Sequence, residues 1–467
     1  MLRATVCGRA AALRRASARS APSRQAHADT AVVREPSAAR AGAAPRAATS
    51  ADEAVAHIAS GARVFVHSVA HAPTQLLEAL TRRSDLTGVS LTHIHTEGAA
   101  PHMAAAAAGR FRTRNLFLGA NARAAVAEGR ADFVPVFLSE VPSLFRRGAL
   151  PLDVALLTVS PPDARGFCTL GASVDVARAA AQCAASLVAV VSPRVPRTFG
   201  DSLVHFSQLD AVLESDAPLH AAPPRAASAA DEAIGRIIAQ ELVRDGATLQ
   251  LGIGAIPNAV LRCLASHKDL GIYSEMISDG VIELVERGVV TGAHKVVHPG
   301  RITAGFAYGS PRLYAFLHDN AGVAMKDIAF VNDVARIASQ PGLVSINSAL
   351  EIDISGQVCA DSLGHTVFSG VGGAVDFCRG AALSRGGVSV TALPSLARNG
   401  ASRIVVELAP GAGVVTTRAH VRHVVTEFGV AALHGRSLNE RARAMIAIAH
   451  PSKRDELTAA ARKLRLL

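Results

Sequence analysis

The chain carries an internal echo. The tetrapeptide "ADEA" stands at 51–54 and again at 230–233, each time opening a stretch of helical periodicity. Downstream come "VFVHSVAHAPTQLLEAL" (64–80) and "LQLGIGAIPNAVLRCL" (249–264). Setting Pro73 against Pro257 lays Leu76, Leu77 and Leu80 over Val260, Leu261 and Leu264. Each half then reaches a strand-like run that ends in an acid, "SLTHIHTEG" at Glu97 and "LGIYSEM" at Glu275. A Pro/Ala-rich break, "DAPLHAAPPRAAS" (216–228), separates the copies. Two versions of one α/β unit are therefore expected.

The unit is legible from its alternation. Short β-branched runs, "VALLTVS" (154–160), "SLVAVVS" (186–192), "KVVH" (295–298) and "RIVVEL" (403–408), are interleaved with Ala/Leu/Arg stretches of helical period. Strands alternating with helices predict parallel sheets. With 467 residues, two or three domains are expected. Nearly half the chain is hydrophobic but only 4% is aromatic, which suits close helix-on-sheet layers.

The formal charge of +10 invites a nucleic-acid reading, but its placement argues against one. Residues 1–50 hold nine arginines against Asp29 and Glu35, so +7 of the +10 sits in the leader and the body is close to neutral. A nucleic-acid footprint is a basic patch within the fold. The leader has no acid before Asp29, is rich in Arg, Ala and Ser, and lacks the apolar centre of a secretory signal. That composition predicts a mitochondrial transit peptide and a matrix location, with residues 1–49 as leader. No run approaches the roughly 18 apolar residues of a membrane span. The six cysteines show no CxxC or CxxH spacing, so neither a zinc site nor a disulfide framework is expected.

Three stretches could carry chemistry. In "LQLGIGAIP" (249–257) a strand turns through Gly252 and Gly254 into a helix, leaving open N–H groups that suit an anion. A dinucleotide fingerprint is one reading, since Glu275 follows about 20 residues on, but Pro257 stands where the third glycine belongs. "HIHTEG" (93–98) offers His93 and His95 at strand spacing, as a metal pair or as core histidines. No His/Asp cluster downstream completes a metal site. "SGVGGAVDF" (369–377) is a second glycine turn, where Gly370, Gly372 and Gly373 permit close backbone approach. Two such turns and a semi-buried acid suggest N–H donors converging on a carboxylate.

At these residues the sequence resembles the acetyl-CoA hydrolase/transferase family, in particular its 4-hydroxybutyrate and acetate CoA-transferase branch. The resemblance spans nearly all of 50–467. It rests on "LFLGANAR", "VPVFLSEVPSLFRRG" and "VSPPDARGFCTLGASVDV" in the first half, and on "SEMISDGVIELVERGVVTG", "VSINSALEIDISGQVCADSLG" and "SGVGGAVDF" in the second. It implies two related α/β domains with mainly parallel sheets, 50–222 and 223–467, and an active site in the cleft between them. Glu275 would be the catalytic glutamate. The turn Gly252, Ile253, Gly254, Ala255 and Ile256 would contact CoA and its thioester, together with Ser369 and Gly373. Asn332 would lie near the acyl group and Arg398 near the cofactor. Ser369 departs from the Asn of some relatives.

What the resemblance implies chemically is transfer of CoA from acetyl-CoA to a small carboxylate, succinate or 4-hydroxybutyrate, through a glutamyl-CoA thioester. CoA is then a substrate, and neither a permanent cofactor nor a metal is required. Water in place of the second carboxylate would make the same site a hydrolase, and the motifs do not separate the two. A nucleotide-binding protein without chemistry is the reading from another class. Pairs of domains of this kind commonly assemble as homo-oligomers. Of the two echoed acids Glu275 is favoured, because the turn matching Gly252–Gly254 reads Ser68-Val69-Ala70-His71 and lacks glycine. Glu97 is expected to line the cleft.

Overall fold

Each half of the chain builds one large sheet around a central strand, and the two sheets are wound in the same order. The computed structural model describes residues 33–40, 44–222, 226–252 and 254–467, so most of the leader, and Ile253, lie outside the described residues. In the first sheet Arg63–Val66 is central. The strands Val89–His93, Phe111–Asn115 and Asp132–Phe133 follow outward on one side. The chain then returns to Val154–Val159 on the other side and continues through Ser186–Val191 and Ala211–Glu214. The second sheet repeats this with Thr248–Leu251 central, Gly271–Ile277, Ile302–Ala307 and Val323–Met325 on one side, and Leu343–Ser348, Val388–Ala392 and His423–Thr426 on the other.

All neighbouring strands of these two sheets are parallel except the hairpin His423–Thr426/Gly429–Ala432. The reason is visible in the sequence. Val154–Val159 and Ile302–Ala307 are buried at every position, as strands covered by helices on both faces must be. The winding reverses beside the central strand, and the carboxyl ends of Thr248–Leu251 and Leu343–Ser348 mark the kind of place where open α/β sheets receive ligands.

The echoed "ADEA" segments do open helices. Ser50 caps the short Ala51–Ala54, and Ser228 with Asp231 forms a capping box for Ala229–Ile237. The halves are not sealed from each other. Phe65, Leu138 and Phe145 of the first share one continuous core with Tyr273, Ile328 and Phe377 of the second. Phe199–Gly200, from the first half, pairs with Ala324 and Met325 at the edge of the second sheet. Gly200 adopts φ +111° there, and a side chain would collide with the Met325 carbonyl.

Two expected strands differ. Residues 295–298 are an irregular, bent segment, because the Lys295 ammonium reaches inward to the carbonyls of Ile272 (2.7 Å) and Arg301 and to Thr303 Oγ1 (3.0 Å), which pulls the segment out of any ladder. Of 403–408 only Ile404–Val405 is strand, paired with Ile352–Asp353 in a small separate sheet. The five described cysteines are free. No helix among the described residues is long and apolar enough to cross a membrane.

Gly235 allows Ala229–Ile237 to press against the helix Ala255–Cys263. A Cβ there would lie 2.7 Å from the main-chain carbon of Ala259 and 2.9 Å from Val260 N. Gly235→Ala should gain at most ~1 kcal/mol of helix propensity. Against rigid main chain the overpacking costs ~1–3 kcal/mol, so a net loss in urea or thermal unfolding is expected.

Candidate active site

Strand periodicity sorts the residues of Gly271–Ile277. Ser274 and Met276 face one side, Tyr273 and Glu275 the other. Tyr273 donates from its hydroxyl to the Phe330 carbonyl (3.1 Å) and packs near the Phe377 ring, so the Glu275 face is the one covered by the helices Ile328–Val331 and Ala374–Leu383. Strand pairing helps open the site. After Leu249↔Ile272 the ladder to Thr248–Leu251 stops, and Ser274 Oγ bridges the gap, accepting from Leu251 N (3.2 Å) and donating to Leu251 O (3.1 Å). On the other flank Gly305 lies against the Glu275 carbonyl, and a Cβ there would stand 3.0 Å from that oxygen.

The Glu275 carboxylate is only partly exposed and is surrounded by protein on its other sides. Asn332, fully buried at the end of Ile328–Val331, donates from Nδ2 to Glu275 Oε2 (3.3 Å) and to Asp376 Oδ2 (3.2 Å). The Gly373 backbone lies directly against the Glu275 carboxylate, so close that a Cβ there would overlap Oε2. Burial raises the Glu275 pKa to about 7, and the Asp376 charge adds to the rise, while Asn332 and Gly373 oppose it. Asp376 is itself buried and likewise pushed up by burial. It accepts from Ser139 Oγ (2.9 Å) and Ser139 N (3.3 Å), both from the first half of the chain.

Gly373 is where glycine is indispensable. A Cβ at this position would overlap both Glu275 Oε2 and Asn332 Nδ2. The loop that delivers it is held by the first half: Leu118 N donates to Ser369 O (2.9 Å), Leu138 N to Gly372 O (3.0 Å), and Arg123 Nε to Phe368 O (2.7 Å). Gly370 is pressed against Phe117, whose ring a Cβ would meet at 2.8 Å.

Of the residues expected from sequence, the structure brings Glu275, Asn332 and Gly373 into one cluster. Gly252 and Gly254 stand between the strand Thr248–Leu251 and the helix Ala255–Cys263. Gly254 (φ +137°) caps the helix Ala255–Cys263, and a Cβ on either glycine would meet nothing nearer than 3.9 Å, so a ligand can approach the backbone there. Ala255 and Ile256 form the first turn of that helix, and the Ile256 side chain is buried in the core, leaving its backbone as the part able to face a ligand. Ser369 spends its hydroxyl on Ala360 O (2.8 Å) and its N–H on Asp361 O, and so braces the loop. Arg398 is exposed at the turn 397–401 and makes no hydrogen bond or ion pair to the cluster among the described residues.

Glu97 stands apart from Glu275. Burial raises its pKa, the Tyr308 hydroxyl of the second half opposing the rise, and it lies 3.6 Å from His95 Nε2. His93 and His95 are buried and held neutral by desolvation, and no three His, Cys, Asp or Glu side chains converge as metal ligands among the described residues. Sequence reasoning missed Asp376 and Ser139. The only signal was an acid three residues after a helix-opening glycine in "GGAVDF".

The chain belongs to the acetyl-CoA hydrolase/transferase family, whose N-terminal domain matches residues 41–221 and whose C-terminal domain matches 309–461. It is 49% identical over 422 residues to a succinyl-CoA:acetate/propanoyl-CoA:succinate CoA transferase of Fasciola hepatica, covering 89% of this chain and 88% of that protein. Identity to a 4-hydroxybutyrate coenzyme A transferase of Clostridium kluyveri is 46%, covering 87% and 95%. Among solved structures, RipA from Yersinia pestis superposes with TM-score 0.84 at 34% identity, covering 90% of this chain and 98% of that one. A 4-hydroxybutyrate CoA-transferase from Porphyromonas gingivalis gives 0.75 at 37%, with the same coverage.

Gly373→Ala should lower kcat by at least ~100-fold, the scale of losing an oxyanion donor, because it displaces both the carboxylate and the amide. The thermal midpoint should fall as well, since the added carbon has no room beside the buried Asn332, so kcat is measured well below the midpoint that a melting curve gives.

Proposed function

We propose that this protein is a CoA-transferase in which Glu275 carries the acyl group and then CoA. The observation that supports this most is a carboxylate walled in by protein, met by the Asn332 amide, with the Gly373 backbone against it and the unobstructed glycines Gly252 and Gly254 after the neighbouring strand. A glutamate oxygen attacks the acyl carbonyl, the C–S bond breaks, and CoA leaves as thiolate, giving a mixed anhydride. The thiolate attacks the glutamyl carbonyl and expels the first carboxylate, leaving a glutamyl-CoA thioester. A second carboxylate runs the sequence backwards, with no net proton transfer. Each addition places negative charge on an oxygen that N–H donors can hold, at ~3 kcal/mol per donor. The surrounding protein keeps water from the thioester.

Acetyl-CoA is the proposed donor and succinate or 4-hydroxybutyrate the acceptor, in keeping with the names of the relatives from Fasciola hepatica and Clostridium kluyveri. The turn 252–256, with Ser369 and Arg398, is the proposed approach for CoA. The arginine-rich leader, with no acid before Asp29, supports import into the mitochondrial matrix. Fusion of residues 1–49 to a reporter tests that part, and a reporter left in the cytosol would remove it.

The chemistry is tested by incubating the protein with acetyl-CoA alone, quenching in acid and measuring intact mass, then mapping peptides. A CoA adduct on the peptide containing Glu275 is expected, absent from Glu275→Ala and discharged by succinate. Consumption of acetyl-CoA without an adduct, at a rate indifferent to succinate, would establish hydrolysis instead. A protonated carboxyl cannot attack. With the Glu275 pKa raised to about 7, kcat/KM should fall towards tenfold per pH unit below that value and level off above it.

A further inference from the structure

We infer that Asp376 is a positioning residue: its carboxylate fixes the Asn332 amide so that Nδ2, not Oδ1, faces Glu275, and Ser139 of the first domain holds that carboxylate in place. This rests on the proposed role of Glu275.

The inference begins with an inventory of donors. An ionised carboxylate only accepts, whereas an amide group has one end that donates and one that accepts. Asn332 Nδ2 lies between Glu275 Oε2 (3.3 Å) and Asp376 Oδ2 (3.2 Å), and both its N–H bonds are used there. Asn332 Oδ1 is buried without a partner. Were the amide turned over, Oδ1 would face two acceptors and the NH2 would be left unpaired in the interior, a loss of the order of an unmade buried hydrogen bond on each side. With Asp376 absent, Glu275 alone would hold the amide, and that hold ends when Glu275 becomes acylated. At that stage a donor is needed at the glutamyl carbonyl. Asp376 is the group that keeps the amide oriented through the cycle.

Asp376 is fixed in turn. Oδ1 accepts from Ser139 Oγ and Oδ2 from Ser139 N. Ser139 belongs to the segment whose neighbours clamp the glycine loop, with Phe137 paired to Gly372 and Leu138 N donating to Gly372 O. Docking of the first domain is thereby transmitted to an amide in the second.

The test compares two replacements of equal bulk. Asp376→Leu fills the space but accepts nothing. Asp376→Asn can still offer an oxygen to Asn332 if the Ser139 hydroxyl turns to accept. Transfer from acetyl-CoA to succinate should lose on the order of 100-fold in kcat in D376L, as for one oxyanion donor, with KM for acetyl-CoA within about twofold, because Asp376 acts only where the charge develops. D376N should stay within about tenfold of the parent. In an Asn332→Ala background D376L should have little further effect, since the interaction it removes is already gone. Undiminished kcat in D376L, or a D376L loss that multiplies fully onto that of N332A, would overturn the inference. If D376L does not fold, Ser139→Ala serves in its place, with a loss of several-fold expected in the parent and none in N332A; equal losses in both backgrounds would overturn it. Glu275→Ala is run alongside: if it still transfers CoA, the reading of Glu275 itself fails, whatever the Asp376 variants do.

Discussion

The hydrogen bond from the Asn332 amide to the Glu275 carboxylate, 3.3 Å long in the interior of the second domain, sets the terms for the segments around it. A carboxylate surrounded by protein loses hydration worth several kcal/mol, and only part of it can be replaced by two or three donors. The chain also passes very close to the acid, and only Gly373 permits the approach. That loop cannot hold itself in place. It is fastened by the hydrogen bonds of Leu118, Leu138 and Arg123 and by the Phe117 ring, all from the first domain. The need to bury one acid while leaving it reactive thus reaches outward from a side chain to a glycine, to a loop, and to the neighbouring domain.

Duplication gave the two halves the same winding but different parts in the site. In the second copy the central strand opens through Gly252 and Gly254. In the first, the matching turn His67–His71 is filled with side chains. Val69 of that turn packs with Met276 and Phe306 of the second sheet. His67 and His71 stack at 5.0 Å, and burial keeps both neutral. One turn keeps open space beside its glycines, the other has become a surface packed on the second sheet. Glu97, near Tyr308 of the second half, marks the same divergence: the echoed acid survives but has no counterpart of the Asn332 amide that meets Glu275.

Much of this was legible in the sequence because the signals are local. A run buried on both faces, a glycine turn before a helix, and an acid between apolar neighbours each occupy fewer than ten residues. Glu275, Asn332 and Gly373, named from motifs far apart, do meet. What escaped was set by contacts at long range. Phe199–Gly200 looks like any loop until the edge of the other sheet is present to receive it. "KVVH" has the composition of a strand, but the Lys295 ammonium finds its acceptors inside the fold and takes the segment with it. Asp376 reads as an ordinary acid in the first turn of a helix. Only the arrival of Ser139 from some 240 residues away shows that it faces inward. Arg398 is the converse, a cation placed near the cofactor by resemblance and found at an exposed turn.

The charge balance of the cluster also bears on the direction of the chemistry. In the resting protein two carboxylates share one NH2 group, and burial together with mutual repulsion destabilises the ionised state of Glu275. A rise from 4.5 to about 7 corresponds to roughly 3 kcal/mol. In the proposed cycle, acylation would convert that carboxylate into a neutral group. The repulsion would disappear, the desolvation cost of the anion would be relieved, and the Asn332 N–H would be released towards the glutamyl carbonyl. An acid in water would take up an acyl group or CoA at the full expense of its hydration. At Glu275 much of that hydration has already been given up on folding, so the proposed covalent state would start from a raised ground state. The environment that makes the glutamate costly to fold around is thus the one that would favour it as the proposed acceptor of CoA.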